Sequence, residues 1–426
     1  MRNSSSAAVT PSASKPRPPL LGRTWLQWLA WVLARAVLGF VTTLNLMPLG
    51  DVKYYFTNLN SSDPAALREY PLTGLLPAMT ANAFAGQNEE HFIAAFIGLV
   101  LLFDAVFLRS LQYGKRGGVP TLAACWFWIV FPPLLAHLHI LRLDSFTAVV
   151  VGWAAMALFR FPALASTLLA FATTMKLWPG VLGVGLVRGW RNSTTWVSVG
   201  TFAATLLALC ASIWVFFGAD RVLSPLDYQG DRGLQIESVA ASPLMVLRYF
   251  HPETWTVSYA PSKSFEIFGP HVDLAITITD AATVGMLAFA IGWALWSLFR
   301  GNVSPQATLA LWIALIFLLL CTNKVFSTQY VLWLGPILAV ALQNMPRSKA
   351  LSTLVWGTMG VAVMSLLVYP FMYNQILNPE LGGSLLQPAV LAARNLLIVI
   401  LTVVAVAWAI QEARRGTRTP KKDWKD

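Results

Sequence analysis

Long apolar runs constrain this chain more than any other feature of its sequence. They recur from residue 24 to residue 410, and many reach the roughly 18 residues or more that an α-helix needs to cross a bilayer. Hydrophobic residues make up 56% of the 426 residues and charged residues only 12%, against about 25% charged in soluble proteins. A soluble protein of this size lacks the buried volume for so much apolar surface. The chain is therefore predicted to be an all-α polytopic membrane protein, which excludes a soluble enzyme, a disordered protein and a nucleic-acid binder.

The apolar runs divide the chain into a membrane domain, residues 23–410, between two basic tails. Residues 1–22 are predicted to be a disordered cytoplasmic tail, and residues 411–426 a second cytoplasmic tail. Full spans are predicted near 24–47, 91–112, 119–138, 145–160, 194–217, 274–299, 306–322, 329–344, 350–369 and 388–410. We expect about 10–12 transmembrane helices of the usual length, with loops and short interfacial helices on one face.

One apolar stretch, residues 163–189, carries a break in its middle from Lys176 to Gly180. Its length is too short for two crossings of about 20 residues each, so a pair of half-helices or one broken helix is predicted. Such breaks occur at membrane depth only where they line a cavity or pack against protein. An ammonium is costly there, so Lys176 is predicted to face a cavity or an anion. The alternative is a side chain that snorkels to the surface.

The basic residues give one consistent orientation under the positive-inside rule. Both tails are predicted to be cytoplasmic, together with the loops that contain Lys115 and Arg116, Arg188 and Arg191, Arg300, and Arg347 and Lys349. The segments predicted to share the opposite face are 48–90, 139–144, 218–271, 323–328 and 370–387.

The first segment on that face follows the first span and contains Asp51 within the run Gly50–Phe56. A carboxylate at the membrane surface beside aromatic rings is placed to act as a general base. The alternative is that Asp51 caps a helix over 52–59, because Asp is a favoured N-cap residue. In the next segment, Arg142 and Asp144 are close enough in sequence to pair, and Asp144 could instead cap the span that follows.

Two later segments combine charged and polar side chains in an order that indicates binding. The run 228–238 places Asp231, Arg232, Gln235 and Glu237 beside two glycines, although a solvated turn is the alternative. Residues 239–250 are predicted to form an interfacial helix. The run 323–330 holds Lys324, whose charge opposes the orientation rule. It is therefore predicted to meet an anionic ligand such as a lipid phosphate, with ordinary lipid headgroups as the alternative.

Motifs for nucleotide or metal chemistry are not visible in the sequence. There is no Walker A motif, no dinucleotide-binding glycine loop, no HExxH and no His/Cys metal spacing. No cofactor and no metal are predicted; Asp51, Asp231 and Glu237 could hold a divalent ion, but nothing in their spacing demands one. His137 and His139 are interpreted as structural. An acid and several cations on one face instead indicate an enzyme that handles a water-insoluble phosphorylated substrate.

Six short motifs carry a resemblance to a known family. They are Gly50-Asp51-Val52-Lys53-Tyr54-Tyr55, Glu69-Tyr70-Pro71, Arg142-Leu143-Asp144, Lys176-Leu177-Trp178-Pro179, Gly233-Leu234-Gln235-Ile236-Glu237-Ser238 and Asn323–Leu334. In these motifs, and in their order across residues 24–410, the chain resembles the GT-C class of integral membrane glycosyltransferases. More narrowly, it resembles glycosyltransferase family 87.

The resemblance implies an inverting sugar transfer from a polyprenyl-phosphate donor on the outer face of a bacterial plasma membrane. The acceptor would be a hydroxyl of a glycolipid or lipoglycan, the sugar most often mannose, and Asp51 matches the position of the general base. The cations predicted to hold the donor phosphate are Lys324, Arg232, Arg142 and Lys176. The residues predicted to contact substrate are Tyr54, Tyr55, Glu69, Asp231, Gln235, Glu237, Gln329 and Tyr330.

Three alternatives remain open at the level of sequence. The first is an arabinofuranosyltransferase of the same class. The second is a transporter or flippase that carries a phosphorylated lipid without chemistry, and the absence of a visible internal repeat weighs against it. The third is an assembly scaffold, which would need neither Asp51 nor Lys324. Membrane lipids are expected partners in every case, and nucleic acid in none.

Overall fold

The structure is a computed structural model that describes residues 20–45, 48–63, 65–114, 119–230 and 232–415. Helices make up most of it. The α-helices are α1 Thr24–Thr43, α2 Leu49–Leu59, α3 Leu76–Ala85, α4 Glu89–Gly114, α5 Val119–Val130, α6 His137–Ile140, α7 Asp144–Ala157, α8 Pro162–Met175, α9 Ser193–Phe217, α10 Ala219–Gly230, α11 Ser242–Phe250, α12 Val272–Arg300, α13 Pro305–Thr322, α14 Leu334–Asn344, α15 Lys349–Leu366, α16 Tyr373–Leu377 and α17 Leu386–Arg415.

Seven helices in the described ranges are long and apolar enough to cross a membrane. They are α1, α4, α9, α12, α13, α17 and the helix Lys349–Phe371 that begins with α15. The prediction of a polytopic helical membrane protein is confirmed at this level. Both tails predicted to be cytoplasmic lie largely outside the described residues.

Three of the predicted full spans contain shorter helices than expected. Helices α5, α7 and α14 have 12, 14 and 11 residues, so even α7 is only about 21 Å long at about 1.5 Å per residue, against a hydrocarbon core of about 30 Å. Pro132 and Pro133 follow the end of α5, where they limit the backbone N–H groups that could extend it. Each of these helices is therefore too short to cross that core by itself.

The predicted break in the stretch 163–189 is confirmed. Helix α8 ends at Met175, Lys176 is extended, and a 3-10 helix runs over Trp178–Leu186. The segment after α2 packs directly on this break, since the Thr73 hydroxyl donates to the Thr174 carbonyl. A Cβ at Gly74 would lie 2.2 Å from the Met175 carbonyl oxygen, so only glycine permits the approach.

Helices α7 and α13 form the centre of the bundle. Nearly every residue of α7, and 72% of the most apolar window of α13, is buried. A helix that is apolar all round is typical of such a position. Helix α9, by contrast, has no buried residue in its most apolar window, so it faces lipid at the edge of the bundle.

A hairpin of two short strands departs from the all-α prediction. Strands β1 Thr256–Tyr259 and β2 Phe265–Phe268 pair antiparallel, with Val257 opposite Ile267. A small apolar core beneath them is formed with the loop around Leu234 and with α11, which the sequence predicted slightly too long as 239–250. The hairpin therefore anchors the run 232–238 against the ends of the membrane helices.

The segments predicted to share one face do contact one another. Arg221 donates to the Tyr70 carbonyl at 2.9 Å, Lys263 to the Tyr54 hydroxyl at 2.7 Å, and Arg248 to the Ile376 carbonyl at 2.9 Å. We call this end of the bundle the site end. At the opposite end, Trp190 donates its backbone N–H to the Leu298 carbonyl and Val303 to the Arg188 carbonyl.

Candidate functional site

Asp51 and Arg142 form an ion pair at the site end. Asp51 is the third residue of α2, and Pro48 occupies the N-cap position, so the predicted cap role for Asp51 is wrong. The Asp51 side chain is 41% exposed, whereas that of Arg142 is only 4% exposed. Arg142 also donates to the Tyr369 hydroxyl at 3.3 Å. A buried guanidinium thus fixes one oxygen of a carboxylate that solvent or a substrate can reach.

Asp144 does not pair with Arg142, although the two lie close in sequence. It is the first residue of α7 and binds the Lys176 ammonium at 2.6 Å. The indole of Trp333 donates to it at 2.7 Å, and the amide of Gln329 at 3.2 Å. The Asp144 side chain is 3% exposed, and both of its carboxylate oxygens have partners. Its role is therefore to hold Lys176 at the break after α8.

Three aromatic rings form a continuous stack beside Lys176. Trp178 stacks on Trp333 with ring centroids 4.6 Å apart, and Trp333 stacks on Tyr330 at 4.3 Å. The Lys176 ammonium lies 4.8 Å from the Tyr330 ring centroid. Because its side chain is 27% exposed, this cation remains accessible beside the stack.

Arg232 approaches the same ring. It contacts Tyr330, and its guanidinium lies 5.0 Å from the Tyr228 ring centroid. Burial lowers the pKa of Arg232, but the contacts with Tyr330 and Tyr228 outweigh it and raise the pKa above its usual value. Tyr330 therefore joins two cations, Lys176 and Arg232, that are distant in sequence. The neighbouring Asp231 lies outside the described residues.

Several buried donors around this cluster have no hydrogen-bond partner within the part of the chain that the structure describes. They are the Nε1 atom of Trp178, the Nε atom of Arg142 and the Nε atom of Arg232. A buried donor left unpaired costs about 1–3 kcal/mol. All three lie at the site end, where each can donate to an acceptor oxygen of a ligand.

The run 233–238 lies against the loop that carries Lys324. The backbone N–H of Gln235 donates to the Lys324 carbonyl at 3.1 Å, and the Oε1 atom of Gln235 is a buried acceptor without a partner among the described residues. Lys324 is half-buried. The structure thus places the predicted binding loop and the predicted phosphate-binding lysine side by side.

Glu237 anchors this loop to the membrane domain. Its carboxylate binds Arg394 at 3.0 Å, and Arg394 and Asn395 donate to its carbonyl at 2.8 and 3.0 Å. Burial raises the pKa of Glu237 despite the attraction of Arg394. Because Glu237 is 2% exposed, the prediction that it contacts substrate is replaced by a structural role. The sequence reading missed Arg394, an arginine inside the last apolar run.

The two tyrosines after Asp51 have different environments. The Tyr54 hydroxyl donates to Glu69 and accepts from Lys263, and burial together with Glu69 raises its pKa. Tyr55 is 1% exposed and packs on Tyr70. Tyr54 and Glu69 therefore lie where a substrate can meet them, but the burial of Tyr55 contradicts the prediction that it contacts substrate.

The described ranges also show the surroundings of the two histidines interpreted as structural. No group of three or more His, Cys, Asp or Glu side chains there is placed to hold a metal ion. His137 and His139 are both buried, and the Nε2 atom of His139 lies 3.5 Å from a carboxylate oxygen of Asp104. Their interpretation as structural residues agrees with this packing.

Comparison with known proteins adds no relative. No known protein family matches the chain, and no curated protein matches it significantly. The resemblance to glycosyltransferase family 87 therefore rests on the six motifs, and the function on the geometry of the site end.

Proposed function

We propose that this chain is an inverting GT-C-type glycosyltransferase. It moves a sugar, mannose in our assignment, from a polyprenyl-phosphate donor to a hydroxyl of a glycolipid or lipid-linked glycan on the outer face of a bacterial plasma membrane. The observation that carries the proposal is the accessible Asp51 carboxylate, fixed by buried Arg142, at the same end as a cation cluster with unpaired donors.

In this reaction Asp51 takes the proton of the acceptor hydroxyl while that oxygen attacks the anomeric carbon of the sugar. The bond between the anomeric carbon and the phosphate oxygen breaks, and its electron pair leaves with polyprenyl phosphate. A positioned general base contributes about 10²–10⁴-fold to such a step. Arg142 holds the carboxylate in place through its ion pair.

The leaving phosphate needs charge stabilisation rather than a proton. Lys176 and Arg232 approach the same ring of Tyr330, and the unpaired N–H groups of Trp178 and Arg142 lie at the same end. Charge-assisted hydrogen bonds to phosphate are among the strongest in proteins. Lys324, on the loop bound to Gln235, adds a further positive charge.

The burial of two carboxylates supports a single displacement, and hence inversion. Double displacement requires a carboxylate that attacks the sugar. Asp144 is buried and bound by Lys176, Trp333 and Gln329, and Glu237 is buried against Arg394. Neither is available as a nucleophile, and we assign the base to Asp51, whose side chain is 41% exposed.

The short helices around the site support a lipid-borne donor. Helices α5, α7 and α8 have 12, 14 and 14 residues, fewer than the roughly 20 of a full span. We therefore assign the corners around Asp144 and Lys176 to a position below the membrane surface, where a lipid phosphate can reach them. Helix α3, which follows the segment that packs on the break, exposes Met79 and Phe84. This apolar surface suits a donor and an acceptor that remain in the bilayer.

The direct test incubates the purified, detergent-solubilised chain with labelled polyprenyl-phosphate mannose and, separately, polyprenyl-phosphate arabinofuranose, each with a bacterial glycolipid acceptor. We expect consumption of the mannose donor, release of polyprenyl phosphate and a labelled lipid product. Consumption of the arabinofuranose donor alone would make the chain an arabinofuranosyltransferase. Movement of intact donor across vesicles, without release of polyprenyl phosphate, would refute the proposal in favour of a flippase.

Lys176→Gln is expected to lower kcat/KM for the donor by about 10- to 100-fold, because a hydrogen bond to a charged group contributes about 1.5–3 kcal/mol. Lys176→Arg, which keeps the charge, should recover part of the rate. The control is Lys53→Gln, which removes an exposed lysine paired with Glu89. Equal kcat/KM values for Lys176→Gln and the control, at equal thermal stability, would contradict a phosphate role for Lys176.

A further inference from the structure

A cavity lies at the opposite end of the bundle from the candidate site. It has a volume of about 490 Å³ and opens between α12 and α17. Helix α12 lines it with Phe289, Gly292, Trp293, Trp296 and Arg300, and α17 with Ile410, Ala413 and Arg414. The proposed transfer reaction uses none of these residues.

The walls of this cavity suit a hydrocarbon chain. Trp296 is 38% exposed and Trp293 is buried behind it, so aromatic surface faces the opening. From Phe289 to Arg300, α12 rises about 16 Å at about 1.5 Å per residue, which equals one leaflet of a hydrocarbon core of about 30 Å. An acyl chain of a lipid in that leaflet has the length to fill the groove.

The mouth of the cavity suits an anion. Arg300 is the last residue of α12, and Arg414 lies in the last turn of α17. The carboxyl ends of the two helices contribute about half a negative charge each, and Glu412 of α17 is paired with Arg415. Arg300 and Arg414 bring positive charge to this mouth. Both arginines are exposed, so a headgroup in the membrane interface can reach them.

We propose that this groove binds an anionic diacyl phospholipid of the leaflet at the opposite end. Its phosphate lies between Arg300 and Arg414, and one acyl chain lies along Trp296 and Phe289. A basic residue near a membrane surface contributes about 1 kcal/mol toward an anionic lipid. That corresponds to about a fivefold change in affinity for each arginine and about 30-fold for the pair.

The test measures lipid bound to the purified full chain by native mass spectrometry, with titrated phosphatidylglycerol or phosphatidylcholine. We expect tighter binding of phosphatidylglycerol, weakened about 30-fold in Arg300→Gln/Arg414→Gln. The matched control is Arg160→Gln/Arg191→Gln, which removes two exposed arginines elsewhere in the chain. Equal weakening in both double variants would overturn the site, because the effect would then come from overall charge.

A second variant tests the apolar half without changing charge. A Cβ at Gly292 meets no atom within 4 Å, so Gly292→Leu fits the helix and fills the groove. We expect it to lower phosphatidylglycerol binding as well. Unchanged lipid binding in Gly292→Leu would overturn the acyl-chain assignment.

Competition experiments separate the other occupants. If soluble glycerol phosphate displaced phosphatidylglycerol as well as the lipid itself does, the site would be an anion site without a lipid groove. If polyprenyl phosphate bound in preference to phosphatidylglycerol, the occupant would be the donor lipid.

Discussion

Asp51→Asn is expected to lower the rate of sugar transfer by about 10²–10⁴-fold, the range for loss of a general base. Asparagine has nearly the same size as aspartate, but its neutral amide cannot take the proton of the attacking hydroxyl. The amide oxygen of asparagine can still accept from Arg142, which also keeps its contact with the Tyr369 hydroxyl. The loss of rate should therefore appear in kcat, and the lost ion pair with buried Arg142 should lower thermal stability separately.

The measurement compares single-turnover rates of wild type and Asp51→Asn at saturating donor. Asp273→Asn is the matched control, because Asp273 is an exposed carboxylate in the first turn of α12. It should retain the wild-type rate. A rate for Asp51→Asn within twofold of wild type would remove Asp51 from the mechanism. A parallel fall in both variants would point to a general effect on folding or insertion.

Most residues of the candidate site could be located from sequence, but the ion pairs between them could not. Asp51, Arg142, Lys176 and Arg232 do converge at one end, because each follows an apolar run that ends there. Sequence proximity favoured an ion pair between Arg142 and Asp144. In the fold, Arg142 reaches back to α2 instead, because the short α7 turns its first residue toward the break at Lys176.

The fold shows a similar division between what local sequence determines and what packing determines. The helical membrane class follows from apolar length, which is a local property. Pro132 and Pro133 mark the end of α5 in the sequence, but an apolar run alone does not reveal how short α7 and α14 are. Strands β1 and β2 were missed because four residues of alternation inside a polar segment give a weak signal.

Burial also explains which predicted contacts fail. Tyr55 and Glu237 carry the right chemistry at the right end, but sequence does not show which side of a helix or loop packs inward. Tyr54 remains half-exposed and Tyr55 does not, because adjacent residues on a helix point in different directions. Arg394 and Asp104 are the opposite case, because the sequence contains a signal for their burial. Each is a charged residue inside an apolar run, and such a residue usually has a buried partner.

Asp104 lies at the centre of a buried charge cluster that holds four helices together, α1, α4, α5 and α6. Two atoms of the Arg35 guanidinium bind its carboxylate, at 2.5 and 2.7 Å, and the third donates to the Ile129 carbonyl at 2.6 Å. The Nε2 atom of His139 lies 3.5 Å away on α6. Helix α6 leads into the corner that carries Arg142, so the cluster also supports the candidate site.

Asp104→Ala is expected to lower the free energy of unfolding by about 3–5 kcal/mol, because it leaves Arg35 charged and uncompensated in the interior. Arg35→Met/Asp104→Leu should recover most of that loss, since replacing both buried partners with apolar residues is often neutral. Unfolding in sodium dodecyl sulfate, followed by circular dichroism, measures both variants. Asp280→Ala, which removes an exposed carboxylate within α12, is the control and should change stability little. A double variant no more stable than Asp104→Ala would show that the carboxylate acts through hydrogen bonds to the α5–α6 corner rather than by neutralising Arg35.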